Sequence, residues 1–338
     1  MSWYLSDISG DPIAAYLGSN SDWGMSPEQR EAVRKRVGAD KPWYIRYVKY
    51  SLRMLRGDWG ESPNHRGTNV LELLAKTFPA SAELGAIAMI FALCVGIPLG
   101  IIAAIKKNQK SDHIVRVGTL VGCSLPVFVL GLILQTIYYH TSSRLTSYFN
   151  RQEIAYFFPR SHRFSPVVTN PPDSILLGLL RPTGILFIDS LLSFDLHLFV
   201  DCVIHLIAPV TVLGVSLIAI IARMTRLAMI EVLNSDYILL AKSKGLSERV
   251  IIYRHALKNA LFPVLTVGGI ILANLLTGAI YVEIIFNWPG MGKLVSEGVA
   301  NLDMPIIHGF CILAALIYAT SNLVVDLVYA WLDPRVQI

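Results

Sequence analysis

Residues 235–265 read SDYILLAKSKGLSERVIIYRHALKNALFPVL. The stretch lies between two long apolar runs and carries Lys242, Lys244, Arg249, Arg254 and Lys258 around one glycine, Gly245. From Glu231 to Lys244 there is neither glycine nor proline, so a helix can run through it. Gly245 then offers a left-handed turn at little steric cost. Ser247 can cap a second helix that passes Arg254 and His255 into the next apolar run. The expected unit is helix, glycine turn, helix, laid across one face of a membrane. A plain connector needs only a few polar residues. One that is long, basic and hinged is suited to docking in a groove of another protein. The face expected to make that contact is Tyr237, Ile238, Ala241 and Lys244.

The flanking runs decide the class. The chain has 338 residues, 54% hydrophobic and 16% charged, with mean hydropathy +0.53, whereas soluble domains carry about 25% charged residues. A helix needs about 20 apolar residues to cross the hydrocarbon core, and its backbone polar groups must be satisfied internally. Five runs meet that length, near 80–105, 114–140, 203–222, 260–286 and 306–331. The expectation is an all-α polytopic membrane protein. A sixth patch, ILLGLLRPTGILFIDSLLSF at 175–194, is broken by Arg181, Pro182 and Asp189. A charge at the bilayer centre costs about 3 kcal/mol, so this patch is read as extramembrane or interfacial. The net charge of +5 follows from basic loops held on the cytoplasmic side and argues for no nucleic-acid partner. Cys94, Cys123, Cys202 and Cys311 are widely spaced, with no CxxC pair, and read as inert thiols rather than a metal or redox site.

The loop 106–113 (KKNQKSDH) and the loop 223–258 are both basic and fall on one side of the membrane, which the positive-inside rule makes cytoplasmic. The C-terminus lies on that side too, and 141–202 forms an outer insertion. Residues 1–79 are then an extracytoplasmic segment preceding a transmembrane domain at 80–338. That segment carries eleven lysines and arginines and no apolar stretch to lead it across. The economical expectation is a missing first span; the rival is an amphipathic cytoplasmic N-terminal domain. SPEQREAVRKRV opens with a capping signature, and WYIRYVKYSLRMLRGDWG has the spacing of an amphipathic helix.

The loop resembles the conserved cytoplasmic loop of ABC-transporter permeases, in particular the oligopeptide/dipeptide importer branch, whose loop runs close to YIRTARAKGL…HALRNALLPV. Here it reads YILLAKSKGL…HALKNALFPV, with Leu239, Leu240 and Ala241 at the Glu-Ala-Ala positions. The resemblance extends along nearly the whole chain: Gly10-Asp11-Pro12, Asp40-Lys41-Pro42, Gly57-Asp58-x-Gly60-x-Ser62, SAELG at 81–85, SLPVFVLGL at 124–132, IFNWPGMGKL at 285–294 and DLVYAWLDPR at 326–335. It implies a type I ABC importer permease bundle, here with five spans and without the family's usual span before GDP. It also implies the partners: a second, homologous permease, two cytoplasmic ATPases that bind ATP and Mg, and an extracytoplasmic substrate-binding protein. This chain would itself bind no cofactor and catalyse nothing, and would sit in a bacterial or archaeal inner membrane. Asp236, Tyr237, Ala241, Lys244, Gly245 and Arg249 are the expected ATPase-coupling residues, with Gly245 as the hinge.

Asn274 and Glu283 are the candidates for the translocation pathway, because ionisable or polar groups inside spans are functional candidates. Glu83, Gln135, Asn322 and Asp326 are weaker ones that can cap helices or meet interfacial water. PGMGKL at 289–294 lacks the spacing and hydroxyl of a phosphate loop. Trp288, Pro289, Gly290 and Gly292 are therefore read as an outer turn or gate. His205, His255 and His308 are not at metal-ligand spacing, and no catalytic constellation stands out. The implied cargo is a dipeptide or oligopeptide, with nickel chelates, haem and oligosaccharides as alternatives inside the class. An ion-coupled secondary transporter or a membrane anchor subunit is the alternative outside it.

Overall fold

In the computed structural model of the chain, the structure describes residues 42–65, 67–149, 163, 183–192, 194 and 196–332. The capping motif at 26–37, GDP at 10–12, most of 141–202 and the DPR at 333–335 lie outside the described residues. Helix α1 spans Trp43–Leu55, and Glu61–Ser62 (β1) pairs antiparallel with Thr68–Asn69 (β2). Then come α2 (Val70–Ile105), α3 (Lys110–Ser124), α4 (Val127–Phe149), α5 (Leu186–Leu192) and α6 (Leu196–Leu233). The remainder is α7 (Asp236–Ser243), α8 (Glu248–Leu276), α9 (Ile280–Ile285), α10 (Met291–Ala300) and α11 (Met304–Leu332). Four helices (α2, α6, α8 and α11) are long and apolar enough to cross a membrane, and a fifth span is made if the bent pair α3–α4 counts as one.

Three boundaries differ from the sequence expectation. The helix holding the first apolar run starts at Val70 rather than near 80, because the Asn69 side chain accepts a hydrogen bond from Leu71 N at 2.8 Å and caps it there. The run 114–140 is not one rod: α3 and α4 meet at 95°. Pro126 has no N–H to continue α3, and the residue before it, Leu125, is extended at φ −85°, ψ 124°. The run 260–286 ends as a span at Leu276, where Gly278 turns the chain into α9. Of the sixth apolar patch, the described residues form only α5, seven residues long and too short to span.

The bundle is organised on α2 and α6. Along α2 a small residue recurs every fourth position, Ala88, Ala92, Gly96, Gly100 and Ala104, and all five are buried. A methyl built on Gly96 falls 2.9 Å from Ile221 Cγ2, and one on Gly100 falls 2.5 Å from Thr225 Cβ. Without hydrophobic drive between helices in lipid, such close backbone approach supplies the packing energy. The register advances in the same sense on both helices, so α2 and α6 run parallel. Helix α3 runs antiparallel to α6: Asp112 pairs with Arg226 while Gly122 approaches Val215 and Ala219. That ion pair is bidentate, with Arg226 Nε to Asp112 Oδ1 at 2.6 Å and Arg226 Nη2 to Asp112 Oδ2 at 2.8 Å.

The two ends of the bundle have separate cores. Ile101, Ala104, Ala228, Met229, Ile238, Ile251 and Ala256 cluster at one end, bringing both basic loops together. Val70, Leu74, Met291, Leu294 and Ile306 cluster at the other. The two basic loops thus share one side of the fold, the side that the positive-inside rule assigns to the cytoplasm.

Candidate coupling surface and outer turn

At the cytoplasmic end, α7 closes on a glycine. Leu246 N–H donates to Ala241 O at 3.4 Å and Gly245 N–H to Lys242 O at 2.9 Å, with Gly245 at φ +74°. This is the double hydrogen-bond pattern that ends a helix on a left-handed residue. A methyl on Gly245 would meet nothing within 4 Å, so the glycine is needed for its backbone angle alone. Ser247 stands at the N-cap position of α8, as expected, but its side chain makes no capping hydrogen bond. The helix then passes through a π-helical stretch, Ile251–Ala256, before the span proper at Leu257–Leu276.

The face that α7 exposes differs from the one expected to dock. Ile238 is fully buried and Ala241 is 8% exposed, both packed into the cytoplasmic core of the bundle. Ala241 therefore holds α7 onto α2 and α6 and does not face outward. What faces outward is Tyr237, Leu239, Leu240, Lys244 and Leu246, with Asp236 and Arg249 also exposed. Tyr237, Leu240 and Lys244 stand at helical spacing on one side. The Tyr237 hydroxyl accepts a hydrogen bond from Asn259 Nδ2 at 2.7 Å, which braces α7 against α8. Leu239 and Leu240, exposed on α7, are not among the residues expected at the contact. Residues 237–241 are all apolar, so periodicity alone leaves the inward phase open; only the packing of Ile238 and Ala241 decides it.

At the outer end, Glu283 is fully buried. Its carboxylate accepts from Ser81 Oγ at 2.8 Å, Ala279 N at 3.2 Å and Lys293 N at 2.9 Å. Ser81 Oγ in turn accepts from Met291 N at 2.8 Å. Glu283 lies outside the four spanning helices, and burial pushes its pKa up while the Ser81 hydroxyl and the backbone N–H groups pull it back. The glycines of the turn make room for it: a methyl on Gly290 would sit 2.5 Å from Glu283 Cδ and from Ser81 Oγ, and one on Gly292 would sit 2.9 Å from Oε2. Trp288, 1% exposed, donates from Nε1 to Ala80 O at 2.9 Å, whereas Pro289 is exposed. Glu283, expected on the pathway, is thus enclosed at the centre of the outer turn; Asn274 is exposed on α8.

The weaker candidates separate in the same way. Glu83 is tied to Arg163, whose Nε donates to Oε2 at 2.6 Å, and to Phe187 N at 2.6 Å, so this carboxylate fastens the outer insertion to α2. Gln135 donates to Ile285 O at 3.0 Å, while Asn322 is half-buried and Asp326 exposed on α11. Ser62 Oγ and Asn64 Nδ2 both donate to the buried Asp303, at 2.5 and 3.3 Å, which seats the β1–β2 hairpin on the start of α11.

Residues 96–338 match the family model described as binding-protein-dependent transport system inner membrane component. The di/tripeptide transport system permease protein DppB of Pseudomonas aeruginosa is 38% identical over 330 residues, 98% of this chain and 90% of that one. The dipeptide transport system permease protein DppB of Escherichia coli is 37% identical over 331 residues, 98% and 91% of the two chains. The oligopeptide transport system permease protein AppB of Bacillus subtilis is 31% identical over 328 residues, 97% and 90%. Among solved structures, a chain of the MetNI methionine ABC transporter in an inward-facing conformation superposes with TM-score 0.50 at 14% identity, covering 76% of this chain and 97% of that one. This last likeness bears on the fold alone.

Proposed function

The chain belongs to the binding-protein-dependent transport system inner membrane components, and from that premise we propose that it forms half of an ATP-driven import pathway for dipeptides or oligopeptides. The observation that carries this reading is α7, a short helix with an exposed Tyr237–Leu240–Lys244 face, hinged at Gly245 and braced on the bundle by Ile238 and Ala241. A helix tied on its inner side and bare on its outer side passes a push from a docked partner into α8. The peptide cargo is supported by the relatives, whose names specify dipeptides and oligopeptides. In this reading the chain is not a catalyst. ATP is hydrolysed by two cytoplasmic subunits docked on this chain and on a second permease, a binding protein delivers cargo from outside, and the assembly sits in a bacterial or archaeal inner membrane.

The test is co-purification in mild detergent. Wild-type chain is expected to bring down an ATPase subunit and a second permease, and Lys244→Glu combined with Leu240→Asp is expected to lose the ATPase while keeping the permease. Retention of the ATPase by that double variant sinks the docking role of α7. Absence of any ATPase from the wild-type sample sinks the importer reading and leaves a secondary transporter or anchor.

A further inference from the structure

Between α3 and α6, at the cytoplasmic end, lies an open cleft of about 460 Å³ lined by His113, Arg116, Val117, Leu120, Arg223 and Leu227, among others. Its charge is one-sided. Asp112, at its edge, is fully buried and held in the bidentate pair with Arg226. Arg116 and Arg223 are both exposed; Arg116 acts through space on Asp112, one turn away, but neither arginine makes a direct ion pair among the described residues. Because α3 runs antiparallel to α6 from the Asp112–Arg226 pair upward, Arg116 and Arg223 stand at one level, about one helical turn deeper than that pair. Val117 and Leu120 continue the α3 wall toward the bilayer centre, and α3 also exposes Ile114 and Val121.

We infer that this cleft binds an anionic phospholipid of the cytoplasmic leaflet. Its phosphate would sit between Arg116 and Arg223, and an acyl chain would lie along Val117 and Leu120. Charge and polarity choose this occupant. Guanidinium groups bind phosphate through paired N–H donors, and basic pockets between spans on the cytoplasmic side suit acidic headgroups. A protein partner would have to bring acidic groups into a cleft whose inner wall is apolar at membrane depth, and a free anion would leave that wall unused. The inference depends on the membrane placement of α3 and α6 and not on what the importer carries.

The test uses the assembled complex, stripped of lipid in detergent and titrated with dioleoyl-phosphatidylglycerol or dioleoyl-phosphatidylcholine, with bound lipid counted by native mass spectrometry. Wild-type protein is expected to retain phosphatidylglycerol in preference. Arg116→Gln with Arg223→Gln should weaken that retention about tenfold, and Arg116→Lys with Arg223→Lys should largely restore it, which separates loss of charge from loss of fold. Lys107→Gln with Lys110→Gln removes two cytoplasmic charges outside the cleft and should leave retention unchanged. Equal retention of the two lipids, or an equal loss in the lysine control, overturns the site. Displacement of the lipid by an equal concentration of inorganic phosphate overturns the lipid in favour of a free anion. A photo-crosslinker at Leu120 that captures a protein subunit instead of lipid overturns it in favour of a protein interface.

Discussion

At the scale of single residues, Glu283 shows how a polar group in a membrane protein can be a fastener and not a lining. Four segments meet on it: α2 through Ser81, the entry to α9 through Ala279, α10 through Lys293, and the glycine turn that leaves room for the carboxylate. Replacing it by alanine leaves a hydroxyl and two N–H groups without their acceptor. A hydrogen bond to a charged group contributes about 1.5–3 kcal/mol, and an orphaned buried donor costs a similar amount. Glu283→Ala is therefore expected to lower the thermal unfolding midpoint of the detergent-solubilised chain by roughly 5 °C or more. Glu283→Gln keeps one carbonyl oxygen but turns an amide NH₂ toward an N–H donor, so its loss should be smaller but clear. A midpoint unchanged in both variants would return Glu283 to the list of pathway candidates.

At the scale of elements, two devices set the geometry, and they were legible to different degrees. The glycine turn was readable because Gly245 ends a stretch free of glycine and proline, and the structure gives it φ +74°. Proline at that position cannot adopt the angle and removes the N–H that donates to Lys242 O. Gly245→Pro should abolish uptake while the chain still inserts in the membrane, and Gly245→Ala, which pays only the left-handed strain of about 1–2 kcal/mol, should reduce uptake without abolishing it. Normal uptake by the proline variant would defeat coupling through α7. The α2–α6 seam was not readable as a contact: small residues every fourth position mark a face, but nothing in one sequence says which helix lies against it. The structure answers with Ala222 and Thr225 against Gly100. Gly100→Val is expected to part the two helices, costing about 1–3 kcal/mol of overpacking, with lower yield and a lower unfolding midpoint as the readout. The inward phase of Ile238 escaped sequence reading for the same reason, since it is decided by neighbours distant in the chain; the bend at Pro126 had a local signal, the proline itself, inside an otherwise unbroken apolar run.

At the scale of the molecule, burial is distributed unevenly. In the most apolar stretch of α6, 61% of residues are buried inside the chain, against 28% for α8 and none for α11. The described bundle therefore packs around α6 and leaves one flank of α8 open, where Ile270 and Asn274, one turn apart, are exposed. A polar side chain on a bare flank near the outer end of a span faces either interfacial water at the lipid boundary or an aqueous pathway shared with a second permease. The two placements respond differently to the transport cycle. In a pathway that opens alternately to the two sides, the access of water to Asn274 changes with the state of the ATPases; at a lipid boundary it does not. With Cys94, Cys123, Cys202 and Cys311 replaced, Asn274→Cys in the assembled importer is expected to react with a charged, water-soluble thiol reagent at rates that differ severalfold between the nucleotide-free and ATP-trapped complexes. Equal rates in the two states would place this flank of α8 against lipid and move the pathway to another face of the bundle.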